Sequence, residues 1–303
     1  AERAHRLRPR NPSVLVTLFD LLLGAKRWDR ALTLLVDAQK ADIFNEDELT
    51  RRRALLITAK AEDAITDGEN AEAIKLLRKA LNARPDFTGA AVLLARLYAD
   101  IDQPAKARDV AQQSWQTSPS AALGQIYLDS LSEDALAKVK AVEKLIAANP
   151  EHVESQLLLA EAALSADLWG MARSNLEKAI AQKAQSRHYR LLADLEFREK
   201  KDAAKARELL VKASHANPDP GWRCGACGTE TDKWAVTCPS CHSFGSIDWR
   251  APMRVHNDQP ASDPATPKQP AAIKRDGAMI ENSDPIDKTV NSSAKGEHPA
   301  TAV

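Results

Sequence analysis

The sequence predicts an all-α solenoid of helix pairs, capped at its C-terminal end by a small four-cysteine module and followed by a disordered tail. Three observations carry this expectation. Alanine and leucine dominate and aromatic residues make up only 5%, which favours helix over strand. A pattern of small and large apolar residues returns with a period of 34 residues. All four cysteines of the chain fall in two Cys-x-x-Cys pairs, ten residues apart, near the C-terminus.

The helical part spans residues 1–217. Ala31, Leu35 and Ala38 open the series, and Ala73, Leu77 and Ala80 repeat the same offsets of 4 and 3, with Pro85 five residues on. Ala107, Ala111, Ser114 and Pro119 follow, then Ala172, Leu176 and Ala179, then Ala206, Leu210, Ala213 and Pro218. Pro85 to Pro119 is 34 residues, and Pro150 to Pro218 is 68, two periods. Small residues at fixed positions let two helices approach closely, and large apolar residues fill the grooves between them. Proline just past the second helix ends one pair and opens the next. Turns inside the pairs stand at Leu23-Gly24-Ala25, Asp67-Gly68-Glu69, Asp102-Gln103-Pro104 and Lys201-Asp202. The reading gives five or six pairs from Asn11 to Ala216. The segment Asp42–Arg53 and the 31-residue spacing from Pro119 to Pro150 break the period. The pattern resembles the tetratricopeptide repeat, whose stacked pairs form a superhelix with a concave, protein-binding face.

Residues 218–252 form the module. Cys224, Cys227, Cys238 and Cys241 are predicted to hold one metal ion, since each pair places two thiolates on it and two pairs complete a tetrahedron. The expected ion is Zn²⁺ in a structural role, in a zinc-ribbon or rubredoxin-like fold. Iron uses the same ligands and is the alternative. Metal binding would supply on the order of 10 kcal/mol of the folding free energy of so small a unit. Gly228 suits the left-handed end of the first turn, whereas the second turn ends in His242. Cys238-Pro-Ser-Cys241-His242 also matches the c-type haem attachment motif, a reading that leaves Cys224 and Cys227 unexplained. Trp222, Trp234 and Trp249 are expected to pack the module and to seal it on the last helix pair.

The tail, residues 253–303, carries no aromatic residue and crowds prolines at 260, 264, 267 and 270, a composition unable to offset its ordering entropy. Forty-two basic residues balance 42 acidic ones, and Lys233 is the one basic residue between Cys224 and Cys241, so a nucleic-acid partner is not expected. Nucleophile-elbow, P-loop, dinucleotide and metalloprotease motifs are absent, so the chain is read as a non-enzyme. Paired Cys-x-x-Cys motifs fit a reducing compartment. Arg3, Arg6, Arg8 and Arg10 read as a solvated face, or as the cytoplasmic flank of a membrane anchor that would precede Ala1. Arg51-Arg52-Arg53 is the densest basic cluster and reads as a solvated face, with contact to an acidic partner as the sharper alternative.

Several stretches resemble HemY, the tetratricopeptide protein encoded with haem-biosynthesis genes in proteobacteria. They are Gly24-Ala-Lys-Arg-Trp28-Asp-Arg-Ala31-Leu32 with Arg51 to Leu56, then Trp115, Pro119, Leu123 and Tyr127, then Pro218-Asp-Pro220-x-Trp222 with Trp234, Phe244 and Trp249-x-x-Pro252. The resemblance implies an inner-membrane protein with an N-terminal anchor, a cytoplasmic repeat domain, and late haem-pathway enzymes as partners. It does not imply the four cysteines, which stand on their spacing. The architecture is also similar to that of LapB, whose resemblance implies an adaptor controlling proteolysis in lipopolysaccharide synthesis. A rubredoxin-like electron carrier is the third reading.

Overall fold

The computed structural model describes residues 1–131 and 134–252, so the expected tail lies outside the described residues. A short helix, α1 (Glu2–Leu7), precedes six successive pairs. These are α2 (Pro12–Gly24) with α3 (Trp28–Lys40), α4 (Glu46–Thr66) with α5 (Asn70–Ala83), and α6 (Thr88–Asp100) with α7 (Pro104–Trp115). They continue as α8 (Ala121–Asp129) with α9 (Ala135–Ile146), α10 (Val153–Ser165) with α11 (Trp169–Gln182), and α12 (Ser186–Lys200) with α13 (Ala203–His215). The fold is a helical solenoid of tetratricopeptide type. Its fourth pair is the loosest: α8 has nine residues, and α9 packs mainly on α10. That irregularity is the broken period between Pro119 and Pro150.

The repeat is written in backbone geometry as well as in side chains. In five pairs the residue two before the second helix adopts a left-handed conformation: Lys26, Gly68, Asp102, Asp167 and Lys201, with φ between 52° and 79°. In the first four of these, the amide of the following residue donates to the carbonyl five residues earlier in the chain. The bonds are Arg27 to Leu22, Glu69 to Ala64, Gln103 to Tyr98 and Leu168 to Ala163, at 2.8–2.9 Å. This closure satisfies a helix-end carbonyl that would otherwise lack a partner. The small–large–small positions are buried as the pattern requires in the earlier pairs, but in the last pair Leu210 is exposed, having no further pair packed against it among the described residues. Ala31, Leu35, Ala73, Leu77, Ala80, Ala107, Ala111, Ala172, Leu176 and Ala179 are all sealed from solvent. Trp115 is buried too, and its indole N–H donates to Ser155 Oγ (3.1 Å), tying α7 to α10.

After α13 the chain forms β1 (Gly221–Cys224), β2 (Glu230–Thr231) and β3 (Ile247–Arg250), an antiparallel sheet in the order β2-β1-β3. Trp222 faces Trp249 across β1 and β3, ring centroids 5.1 Å apart and edge to face. The expectation that this module seals the last pair is not met. Asp219 accepts a hydrogen bond from the Arg187 amide and pairs with Arg190, fixing the exit of the chain beside the start of α12. The module then lies on α4 and α6, far back in the sequence. Trp234 occupies the space over Gly89, where any Cβ would collide with the indole, and meets Phe87 edge to face at 5.4 Å. Phe244 stacks on Trp28. The Arg51 guanidinium donates to the Gly245 carbonyl (2.8 Å), and the Val236 amide donates to Glu62 (3.3 Å to each oxygen).

The physical reason is the supply of surface. A module of this size has too little interior for its own tryptophans, and α4 and α6 provide a gap for an indole plus polar partners for its backbone. Trp222, Trp234, Val236 and Ile247 thereby join the apolar core that contains Leu55, Leu56, Leu94 and Tyr98. A second core, with Leu157, Leu164, Leu176 and Leu195, lies within α10, α11 and α12. The arginine cluster also reads differently in three dimensions. Arg51 holds the module, and Arg52 pairs with Glu48 and lies 4.3 Å over the Phe44 ring, so neither is a free solvated charge.

Candidate metal centre

The four cysteines predicted as ligands converge. Their sulfurs all lie within 4.8 Å of one another, with Cys224 3.6 Å from Cys241 and Cys227 3.7 Å from Cys238. A tetrahedral ion with metal–sulfur bonds of about 2.3 Å has sulfur–sulfur edges of about 3.8 Å, so the cluster has the dimensions of such a site. Sequence and backbone explain the convergence. Cys224 ends β1, and its amide bonds to the Thr229 carbonyl while the Gly228 amide returns to the Cys224 carbonyl, both at 2.9 Å. The second pair repeats this, with the Cys238 amide on Ser243 and the His242 amide on Cys238, both at 3.0 Å. Gly228 (φ +77°) and His242 (φ +58°) occupy the same left-handed position. His242 therefore fills a turn position of the second loop and is not among the clustered ligand atoms.

Cys224 and Cys238 are buried, and Cys227 and Cys241 face solvent. Ser246 Oγ lies 3.0 Å from Cys224 Sγ, Thr229 Oγ1 lies 3.1 Å from Cys227 Sγ, and the Ala226 amide donates to Cys224 Sγ at 3.4 Å. Burial works against ionising Cys224, yet the Ser246 hydroxyl and the Cys227 and Ala226 amides outweigh it and bring that thiol to about 6. At Cys241 the Ser243 amide favours the thiolate, but burial and the three neighbouring sulfurs push it to about 12. Four sulfurs so close together share charge poorly until a cation stands among them. The donor set therefore fits a divalent metal ion.

Several participants were not visible as site residues in the sequence: Ser246 and Thr229 beside the sulfurs, and Glu62, Arg51 and Gly89 under the module. Arg51 stood out only as part of a basic cluster, and Gly89 carried a signal in that glycine within a helix costs about 1 kcal/mol and marks a close approach. Two histidines have local structural roles. His152 Nδ1 accepts from the Glu154 amide at the start of α10, and His188 is buried within the first turn of α12, where desolvation lowers it to about 4.

Fold and cysteine cluster together define a tetratricopeptide-type repeat protein with a four-cysteine module folded onto its early repeats. Residues 64–125 match the tetratricopeptide repeat family model. The chain is similar to the probable magnetosome protein Mms48 of Magnetospirillum gryphiswaldense, at 28% identity over 243 residues. That match covers 78% of this chain and 53% of Mms48, so the chain spans about half the length of this curated relative. Among solved structures it is similar to MamA (22% identity, TM-score 0.36, 51% of this chain and 92% of that one). It is also similar to Pseudomonas aeruginosa PilF (15% identity, TM-score 0.38, 67% and 90%).

Proposed function

We propose that the chain is a non-enzymatic protein-interaction scaffold that supports late haem biosynthesis at the inner membrane, with structural Zn²⁺ on Cys224, Cys227, Cys238 and Cys241. The observation that carries the scaffold reading is the run of stacked helix pairs, an architecture that presents extended binding surface and whose members bind other proteins. The haem assignment rests on the HemY-like stretches, whose Trp115, Leu123 and Tyr127 are buried framework residues. Association with the membrane rests on that resemblance and on Arg3, Arg6, Arg8 and Arg10, which are all exposed around α1. Among the described residues no helix is long and apolar enough to cross a membrane. Affinity capture of the full-length protein from membranes tests the reading. Late haem-pathway enzymes are the expected partners. Recovery of lipopolysaccharide-pathway enzymes in their place would move the assignment to an LapB-like adaptor.

A further inference from the structure

The left-handed turn residues put five of the pairs in one register, and that register exposes an anomaly at the last pair. Four residues before the turn stand Leu22, Ala64, Tyr98 and Ala163, and nine after it Leu35, Leu77, Ala111 and Leu176. All eight are buried, the second four completely. In the last pair the same two positions are Phe197 and Leu210, and they are 50% and 51% exposed. The four earlier pairs that share the register have these positions covered. An end pair that faces water permanently carries polar residues there. This one carries a phenylalanine and a leucine over a shallow cavity of about 420 Å³, floored by Ala193 and Ala206.

The described chain does not supply the cover. Asp219 leads it off beside the opposite end of α12, and residues 221–250 lie on α4 and α6. The rim indicates what does. Arg190, Asp194 and Arg207 surround the apolar centre. Asp194 has only a long contact to Arg198 (3.7 Å), and Arg207 has no acidic partner among the described residues. A patch with an apolar centre, one weakly paired acid and one base without a partner among the described residues is complementary to itself across a twofold axis. Head-to-tail stacking is disfavoured, because it would bring Arg190 and Arg207 towards the end that carries Arg3, Arg6, Arg8 and Arg10.

We propose that the outer face of α12 and α13 docks a second copy of this chain, forming a twofold dimer. Phe197 and Leu210 of each copy cover those of the other, and Arg207 of each meets Asp194 of the other. The test is sedimentation equilibrium of the full chain, zinc-loaded and reduced, from about 1 to 100 µM. A reversible dimer is expected, and Leu210→Glu should raise its dissociation constant about tenfold or more with the helical signal unchanged. Asp194→Arg and Arg207→Asp should each weaken the dimer, and the two together should restore it. A monomer at every concentration overturns the proposal. So does a dimer indifferent to Leu210→Glu, or a double variant no better than the singles. A monomer whose α13 amides are already protected from exchange also overturns it, because other residues of the same chain would then cover the face.

Discussion

Glu62 sits on α4 where the module covers the repeats, and its carboxylate receives the Val236 amide. Burial, reinforced by Asp63, raises it from 4.5 to about 7, against the pull of that amide and of Lys26. A raised carboxyl favours the protonated fold. The associated stability is fully present below about pH 4.5 and is lost as pH rises through 7. At about 1.4 kcal/mol per pKa unit, the loss is about 3 kcal/mol. Glu62→Gln keeps an acceptor for Val236 without the charge. Its urea midpoint is expected to stay flat between pH 5 and pH 8 while that of the wild type falls, and equal slopes would refute this account. The convergence of the four cysteines was legible residue by residue, because it is carried by their spacing. Glu62 was not, since the group that buries it lies 174 residues away and leaves no periodic trace.

The helix pairs were largely legible as elements. Alanines and leucines at fixed offsets mark the surfaces where helices touch, and the glycine, aspartate and lysine turns mark where they reverse. Direction of docking was not legible, because the pattern says that a face is apolar without saying what meets it. The second cysteine loop offers a clean test at this scale. His242 is exposed and holds the left-handed position that Gly228 fills in the first loop. His242→Gly should relieve a Cβ clash at a modest entropic cost, a net gain of roughly 0.5–1 kcal/mol. Metal content should be unchanged. Loss of the bound metal in this variant would show that the imidazole is a ligand and that the fourth cysteine is not.

At the scale of the molecule, the module is a structural member of the first half, not an appendage of the last pair. Its tryptophans share one core with residues of α2 to α10, while a second core lies within α10 to α12. Removing the metal should therefore act unevenly. In protein stripped by chelator under reducing conditions, amide exchange in α4 and α6 is expected to accelerate, while α11 to α13 stay protected. Equal protection in every helix would show that the module contributes nothing to the repeats. Metal analysis of protein purified without added metal should give one zinc per chain and no colour, whereas a visible thiolate–iron spectrum would install an electron carrier at the same cysteines.

The position of the module also sets an order of events during synthesis. The Gly89 gap and the α4 face are made early, yet the residues that close them are among the last of the described chain, and Glu62 waits 174 residues for Val236. At roughly 5–20 residues per second, that wait is about 10–35 s. For this interval the nascent chain carries an open apolar face in search of any partner. A metal ion taken up by the four cysteines would thus also signal that translation has passed the point at which the early repeats are safe.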